Sequence, residues 1–225
     1  MAKFNGPKIV TDGLVLCLDA ANRKSYPGSG TAWTDLSGQG NNGTLTNGPT
    51  FDANNAGSIV FDGTNDSVRC AGSITVTEAT FIVWLRRNGN QGTYDVIILA
   101  RPVGGGSGMN FRSSAMIGYH WNNAANTWGW TNSLLTPDLT WCMCAISVSS
   151  SSATAYLCQS TGITSATNVV SHSSTTLSDI RLGEDSGFDS RYFNGNIAQA
   201  SIYNRALSAS EIQQNFNATR YRFGI

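Results

Sequence analysis

The sequence predicts an all-β chain, a two-sheet antiparallel β-sandwich with one short C-terminal helix, and three observations predict it. Short apolar runs recur along nearly the whole length, separated by Gly, Asn and Ser turns. Only 12% of residues are charged, about half the share usual in a soluble domain. Asn, Ser, Thr and Gly take their place, and these suit turns and strand edges better than helical faces. Finally, one segment near the C-terminus carries helix-start signals.

Along the chain, residues 14–18, 58–61, 79–85, 95–100, 141–148, 153–158 and 196–203 read as strands. In Phe81-Ile82-Val83-Trp84-Leu85 both alternating faces are apolar, which predicts a central strand covered on both sides. Residues 104–108, rich in glycine, read as a flexible loop; they lack the Lys-Ser/Thr ending of a phosphate-binding loop. The serines at 149–152 separate two alternating runs and predict a hairpin tip. In LSASEIQQNFNATR, Ser208 is an N-cap with Glu211 at N3, Leu207 is placed to staple onto Ile212, and Ile212 shares a face with Phe216. The helix is expected to plug one edge or end of the sandwich.

A chain of 225 residues is expected to be one domain, residues 1–225, with a short N-terminal arm over about 1–10, because sandwiches of this length commonly fold as one unit. Fourteen basic and fourteen acidic residues cancel, and the longest basic run is Arg86-Arg87. Phosphate binding draws on clustered positive charge, so nucleic acid is not an expected partner. No stretch has the length of an apolar membrane span or a signal-peptide core, so neither membrane insertion nor secretion is expected. The five cysteines, Cys17, Cys70, Cys142, Cys144 and Cys158, sit in apolar runs and are odd in number. They are expected to be reduced and buried, with Cys142 and Cys144 on one strand face.

Three segments carry a resemblance: GLVLCLDAANRKSYPGSGTAWTDLSGQGNNGTLTNGPTF, SIVFDGTNDSV and RYFNGNIAQASIYNRALSASEIQQNF. They resemble the opening, second and closing motifs of the concanavalin A-like lectin/glucanase superfamily, in its laminin-G-like branch of jelly-roll sandwiches. The most specific is the last, a Gly195-Asn196-Ile197 strand, an Ile-Tyr-Asn-Arg-Ala-Leu-Ser turn and the capped helix. In a short chain this combination is similar to virion surface proteins of marine and cyanobacterial tailed bacteriophages. The resemblance implies a non-enzymatic virion structural protein, made in the host cytoplasm and held on the virion surface. Expected partners are the phage major capsid protein or other virion proteins, host-surface glycans and further copies of itself. About ten residues precede the first predicted strand and no shaft segment is present. A capsid decoration protein is therefore expected over a tail-fibre or tail-associated adhesin, with a glycan-active enzyme or free lectin as the remaining alternative. This is an argument from fold and architecture.

The segment GYHWNNAANTWGWTN places Tyr119, Trp121, Trp128 and Trp130 near Asn122, Asn123 and Asn126. Flat rings with nearby amides suit carbohydrate, so Tyr119, Trp121, Asn123, Trp128 and Trp130 are the candidate sugar contacts. Read as strand, the segment puts Tyr119 with Trp121 and Trp128 with Trp130, and packing of those pairs is the alternative. The resemblance also implies calcium in rim loops. Asp35 in DLSGQGN and Asp62 with Asp66 in FDGTND supply the oxygen donors a hard cation prefers, although such residues also shape their own turns. The related hydrolases carry an E-x-D-x-x-E strand, but Glu78, Glu184 and Glu211 form no such pattern and Glu184 and Asp185 point to opposite faces. Many relatives have an Asp-Glu pair where this chain has Ala198-Gln199, which weakens an inherited metal or acid-base role. Binding is accordingly expected from loops and an exposed sheet face rather than from a charged groove.

Overall fold

The computed structural model describes residues 7–103 and 105–225; the outer part of the expected N-terminal arm (1–6) and Gly104 lie outside the described residues. In chain order the elements are β1 (Leu14–Asp19), β2 (Ala32–Trp33), β3 (Gly43–Thr46), β4 (Thr50–Asp52), β5 (Ser58–Asp62), β6 (Ser67–Val76), β7 (Ala79–Arg87), β8 (Val96–Ala100), β9 (Ser107–Ser113) and β10 (Met116–His120). There follow a one-turn helix α1 (Ala125–Trp128), β11 (Cys142–Val148), β12 (Ala153–Gln159), β13 (Gly162–Asn168), β14 (Thr175–Leu182), β15 (Asn194–Tyr203) and α2 (Ala209–Thr219). The strands form two antiparallel sheets. One runs β13-β12-β11-β7-β15-β5-β4, with β1 added along the second half of β15; the other runs β10-β9-β8-β14-β6-β3-β2. Among the described residues no helix is long and apolar enough to cross a membrane.

All seven expected strands are present, and the serine tip at 149–152 closes the β11–β12 hairpin through Ser149 N–H to Ser152 C=O at 2.8 Å. The strands that escape the sequence are the short β2, β3 and β4, the mixed β6 and β14, and the polar or glycine-rich β9 and β13, and β10 is touched only through Tyr119. β13, GITSATN, is an exposed edge, and β9 begins inside the expected glycine loop. The glycine run is therefore only partly loop. Gly108 lies within β9 at φ 149, and a Cβ there would stand 2.3 Å from the Ile98 carbonyl oxygen. The closing-motif glycine has a similar reason. Gly195 has φ 148, and its Cβ would stand 2.4 Å from the Arg86 carbonyl oxygen.

Between the sheets lies the main core, to which β7 contributes Phe81, Val83 and Leu85. The alternate residues Ile82 and Trp84 enter a second apolar cluster on the outer face of the eight-stranded sheet. Two-sided burial of β7 is thus what its unbroken apolar run predicts. The second cluster is roofed by α2 and the 3-10 turn that follows, so the helix covers a sheet face and does not plug an edge or end. Its start is as read from the sequence. Ser208 and Glu211 form the capping box, and Leu207, Ile212 and Phe216 are buried. Trp84 stacks on Phe216 at 5.6 Å and on Phe223 at 4.2 Å between centroids, and its indole N–H donates to Thr219 Oγ1 at 2.7 Å. The inner part of the N-terminal arm packs here too: Val10 is buried, and its N–H donates to Asn215 Oδ1 at 2.8 Å. Ala198 and Gln199 are buried on β15; an Asp-Glu pair at these positions would place two carboxylates where burial disfavours charge.

All five cysteines are free and buried, with Cys142 and Cys144 in the inter-sheet core. Burial pushes the thiols of Cys17, Cys70 and Cys158 up to about 12.

Truncating Trp84 to Ala removes an aromatic clamp from both α2 and the turn behind it, and about 3–5 kcal/mol of stability should go with it. Ser208→Ala, which removes the cap, should cost only about 1 kcal/mol. Urea unfolding of the two variants checks the order. An equal loss in both would mean that α2 is not clamped through Trp84.

Candidate functional site

The site is built on the edge of the seven-stranded sheet. In β9 and β10 the residues Met109, Phe111, Ile117 and Tyr119 belong to the inter-sheet core. Strand alternation therefore turns Asn110, Arg112, Gly118 and His120 to the outer face. Pairing sets Gly118 opposite Asn110 and His120 opposite Gly108. Asn110 is 1% and His120 4% exposed. Asn110 Oδ1, Arg112 Nε and both ring nitrogens of His120 have no hydrogen-bond partner among the described residues. Among the described residues, half of the eight buried side-chain atoms in that condition lie on three residues of two paired strands, a concentration that asks for a reason.

Two segments fold over this face. From one side comes the turn after β10, where Asn122 and Asn123 have φ of 49° and 58° and lead into α1; the Trp128 indole N–H donates to the Asn123 carbonyl at 3.2 Å. From the other comes the 183–193 loop joining β14 to β15. It is organised around Asp185, 2% exposed, whose carboxylate accepts from Arg101 Nε at 2.8 Å, from Arg101 Nη2, and from Arg191 Nη1 at 2.9 Å. The Arg191 guanidinium lies 3.6 Å from the Phe188 ring centroid and 4.9 Å from that of Tyr94. Tyr94 stands edge-on to both His120 and Trp128, with centroids 5.6 Å and 6.0 Å away. Its φ of 71° is a left-handed value that bulky residues rarely hold. Between the two segments is an open cleft of about 220 Å³ lined by Tyr94, His120, Asn123, Trp128, Phe188 and Arg191.

Of the candidate sugar contacts, the structure brings Asn123 and Trp128 to this cleft and takes the other three away. Tyr119 and Trp121 are each 1% exposed. Tyr119 is bonded to His172 Nε2 and Asn168, and the Trp121 indole donates to the Ser173 carbonyl at 2.7 Å. Neither ring has a face to offer, so both are corrected from contacts to core. Trp130 is half-buried against the core, 5.8 Å edge-on to Tyr119. The strand reading of 128–130 also fails, because α1 turns Trp128 away from Trp130. Tyr94, His120, Phe188 and Arg191 were missed. His120 stood in view inside GYHW; Phe188 sits in EDSGFDS, read only for its carboxylates, and Arg191 opens the closing motif RYFNGN, read only for its resemblance.

The expected calcium ligands do not come together. Asp35 is buried, and its two oxygens accept from Cys17 N–H, Ser37 N–H, Ser37 Oγ and Asn41 N–H, which leaves no open edge for a cation. Asp66 Oδ2 accepts from Asp62 N–H, and Asp62 Oδ1 from Thr64 N–H, the turn-shaping use of such side chains. Asp35 lies by the Gly43 end of β3 and Asp66 by the Thr46 end, and among the described residues no group of three or more His, Cys, Asp or Glu could hold a metal ion. Glu184 and Asp185 do part company: Glu184 pairs with Arg181 at 2.7 Å and Arg69 at 3.7 Å, Asp185 with Arg101 and Arg191.

A family profile described as the concanavalin A-like lectin/glucanases superfamily matches residues 62–213. Among solved structures, domain 4 of AbnA, a GH43 extracellular arabinanase from Geobacillus stearothermophilus in complex with arabinotriose, is similar at TM-score 0.62 and 14% identity, over 95% of this chain and 100% of that one. Trypanosoma rangeli sialidase is similar at 0.64 and 14%, over 93% of this chain but 33% of its own. The binding domain of Paraclostridial Mosquitocidal Protein 1 follows at 0.57 and 16%, over 94% and 53%. This chain thus spans about a third of the sialidase and about half of the mosquitocidal chain. At these identities the likeness is one of fold. No curated protein sequence matches.

Burial above all, then Arg101, with Asp185 opposing and Arg191 adding, pulls the His120 imidazole from 6.5 down to about 4. The unfolded chain takes up this proton near pH 6.5 and the folded one only near 4, so stability should fall as pH drops through that window, by at most about 3 kcal/mol. His172 is shifted the same way by burial and adds to the slope. His120→Gln should flatten part of the loss in urea unfolding between pH 7 and 4.5. An unchanged loss would show that His120 does not supply it.

Proposed function

The chain belongs to the concanavalin A-like lectin/glucanases superfamily, and from that membership we propose that it is a non-enzymatic carbohydrate-binding module displayed on a virion surface. One observation carries the binding reading. The cleft sets the rings of Tyr94, Trp128 and Phe188 beside Asn123, Arg191 and unpartnered buried polar atoms. Aromatic faces take the apolar C–H faces of a sugar, and convergent polar groups fix its hydroxyls. The arabinotriose held by the similar arabinanase domain, and the description of the mosquitocidal neighbour as a binding domain, support the same reading.

The absence of turnover is part of the proposal and rests on how the glutamates are used. Glu211 chelates Arg205 and caps α2, and the Arg205 contact first, then Ser208, draws it down to about 2. Glu184 serves Arg181 and Arg69, and Glu78 accepts from the Ser150 N–H. A glycosidase needs one carboxyl free to deliver a proton and a second at a set distance. Release of reducing ends from any glycan that binds would overturn this part and favour the glycan-active enzyme.

The virion setting rests on the resemblance of the closing motif and is the finer part of the reading. Capsid decoration, with the major capsid protein as partner, is preferred over a tail adhesin. Cryo-electron microscopy of particles carrying the protein tests it, since copies in lattice register on the shell support decoration and a few copies at the tail make it an adhesin.

Trp128→Ala should abolish glycan binding in calorimetry or on a glycan array while leaving the thermal midpoint within a few degrees, because the ring is only half-buried. Binding that survives in a folded Trp128→Ala protein would move the site elsewhere.

A further inference from the structure

We propose that the cleft recognises a carboxylate-bearing sugar, with Arg191 as its anion-binding group and Arg112, held near the Tyr94 ring behind the cleft lining, adding to the positive charge there; this rests on the carbohydrate reading above. The chain is neutral overall, yet charge gathers here. Arg101, Arg112 and Arg191 lie around the Tyr94 and Phe188 rings, with Arg112 5.3 Å from the Tyr94 centroid and Arg101 5.3 Å from that of Phe188. Against them stand the carboxyl groups of Asp185 and Asp95. Asp185 is shared by Arg101 and Arg191, so it offsets one of the two. Asp95 accepts from the Gly92 N–H and interacts with Arg191, so three guanidinium groups face two carboxylates. Arg112 has no carboxylate partner among the described residues, and its Nε is buried without an acceptor. The floor of the cleft is therefore cationic.

The rings give this charge its form. The guanidinium groups of Arg112 and Arg191 both lie near the Tyr94 ring, and Arg191 stacks on Phe188. Face stacking holds a guanidinium while leaving its N–H edge for a planar acceptor. Arg191 Nη1 is bonded to Asp185, and a guanidinium carries five N–H groups. A carboxylate matches that flat fork, and a charged acceptor makes the stronger bond. Beneath, the orphaned atoms of His120 and Asn110 combine donor and acceptor in one buried patch. A ligand with hydroxyls next to its carboxylate satisfies both kinds, whereas an aliphatic carboxylic acid would satisfy only the arginines.

The test is calorimetric titration of the folded chain with matched probes: a galacturonate oligosaccharide against its methyl ester, sialyllactose against lactose, and a sulfated heparin oligosaccharide. At least one acid should bind roughly tenfold or more tighter than its neutral match, the sulfated probe more weakly than that acid, and the preference should vanish in Arg191→Gln. Because Arg191 also braces Asp185, Arg112→Gln, which breaks no ion pair, is the second variant; it should reduce the same preference with the thermal midpoint kept. Equal binding of acids and neutral matches, lost in Trp128→Ala, overturns this inference and leaves the carbohydrate reading standing. Binding that is strongest for the sulfated probe and survives in Trp128→Ala is surface charge attraction and also overturns it. No binding across the panel overturns both.

Discussion

The structure depends on one strand being buried on both sides. β7 lies at the middle of the eight-stranded sheet, between β11 and β15, and sends Phe81, Val83 and Leu85 one way and Ile82 and Trp84 the other. A sandwich covers only the inner set. The outer set would leave a large apolar patch in water unless something else lay on it. The capped helix α2 and the turn after it are that cover, which is why a sandwich that needs no helix for its topology keeps one. Trp84 ties the cover down through two stacked rings and a hydrogen bond.

The seven-stranded sheet meets the same need differently, and the candidate site follows from the difference. Its outer face carries Asn110, Arg112 and His120 where the other sheet carries apolar residues. No helix of comparable length covers it. Two short segments, the turn carrying Trp128 and the loop built on Asp185, lean over it from opposite sides and leave a gap. An apolar face under a helix becomes a sealed core, while a polar face under two loops becomes a cleft with unpartnered atoms at its base. Burial on one sheet thus gives stability, and incomplete burial on the other gives a place to bind.

What was legible in the sequence divides along the same line. The seven strands read from apolar runs were found to within two residues at either end, while β6 and β14, whose apolar residues are spaced among polar ones, were not read; the capping box at Ser208 and Glu211 was read atom for atom. β13 escaped because an exposed edge of Gly, Thr and Ser has no period to read, and β9 because its first residues resemble a loop. The cleft was half legible. An aromatic, amide-rich segment marks a neighbourhood, but not which rings face inward, and Tyr119 and Trp121 are drawn into the core by partners more than forty residues away. Phe188 and Arg191 reach the site through the fold of a distant loop, which no local pattern encodes. The calcium expectation was hard to judge from sequence for a related reason: oxygen-rich turns look alike whether their oxygens face a cation or, as at Asp35, Asp62 and Asp66, their own backbone.

The five buried thiols carry a consequence for how this chain meets its surroundings. All five are buried, four of them inside an apolar cluster, and none is disulfide-bonded. The thiolate is the reactive form, so burial of all five, with the raised titration of Cys17, Cys70 and Cys158, slows their reaction with oxidants and alkylating reagents while the chain stays folded. The same fold can then persist in a reducing cytoplasm and in oxygenated water with its covalent structure unaltered. The moment at which a thiol does react becomes a clock for the opening of the two sheets.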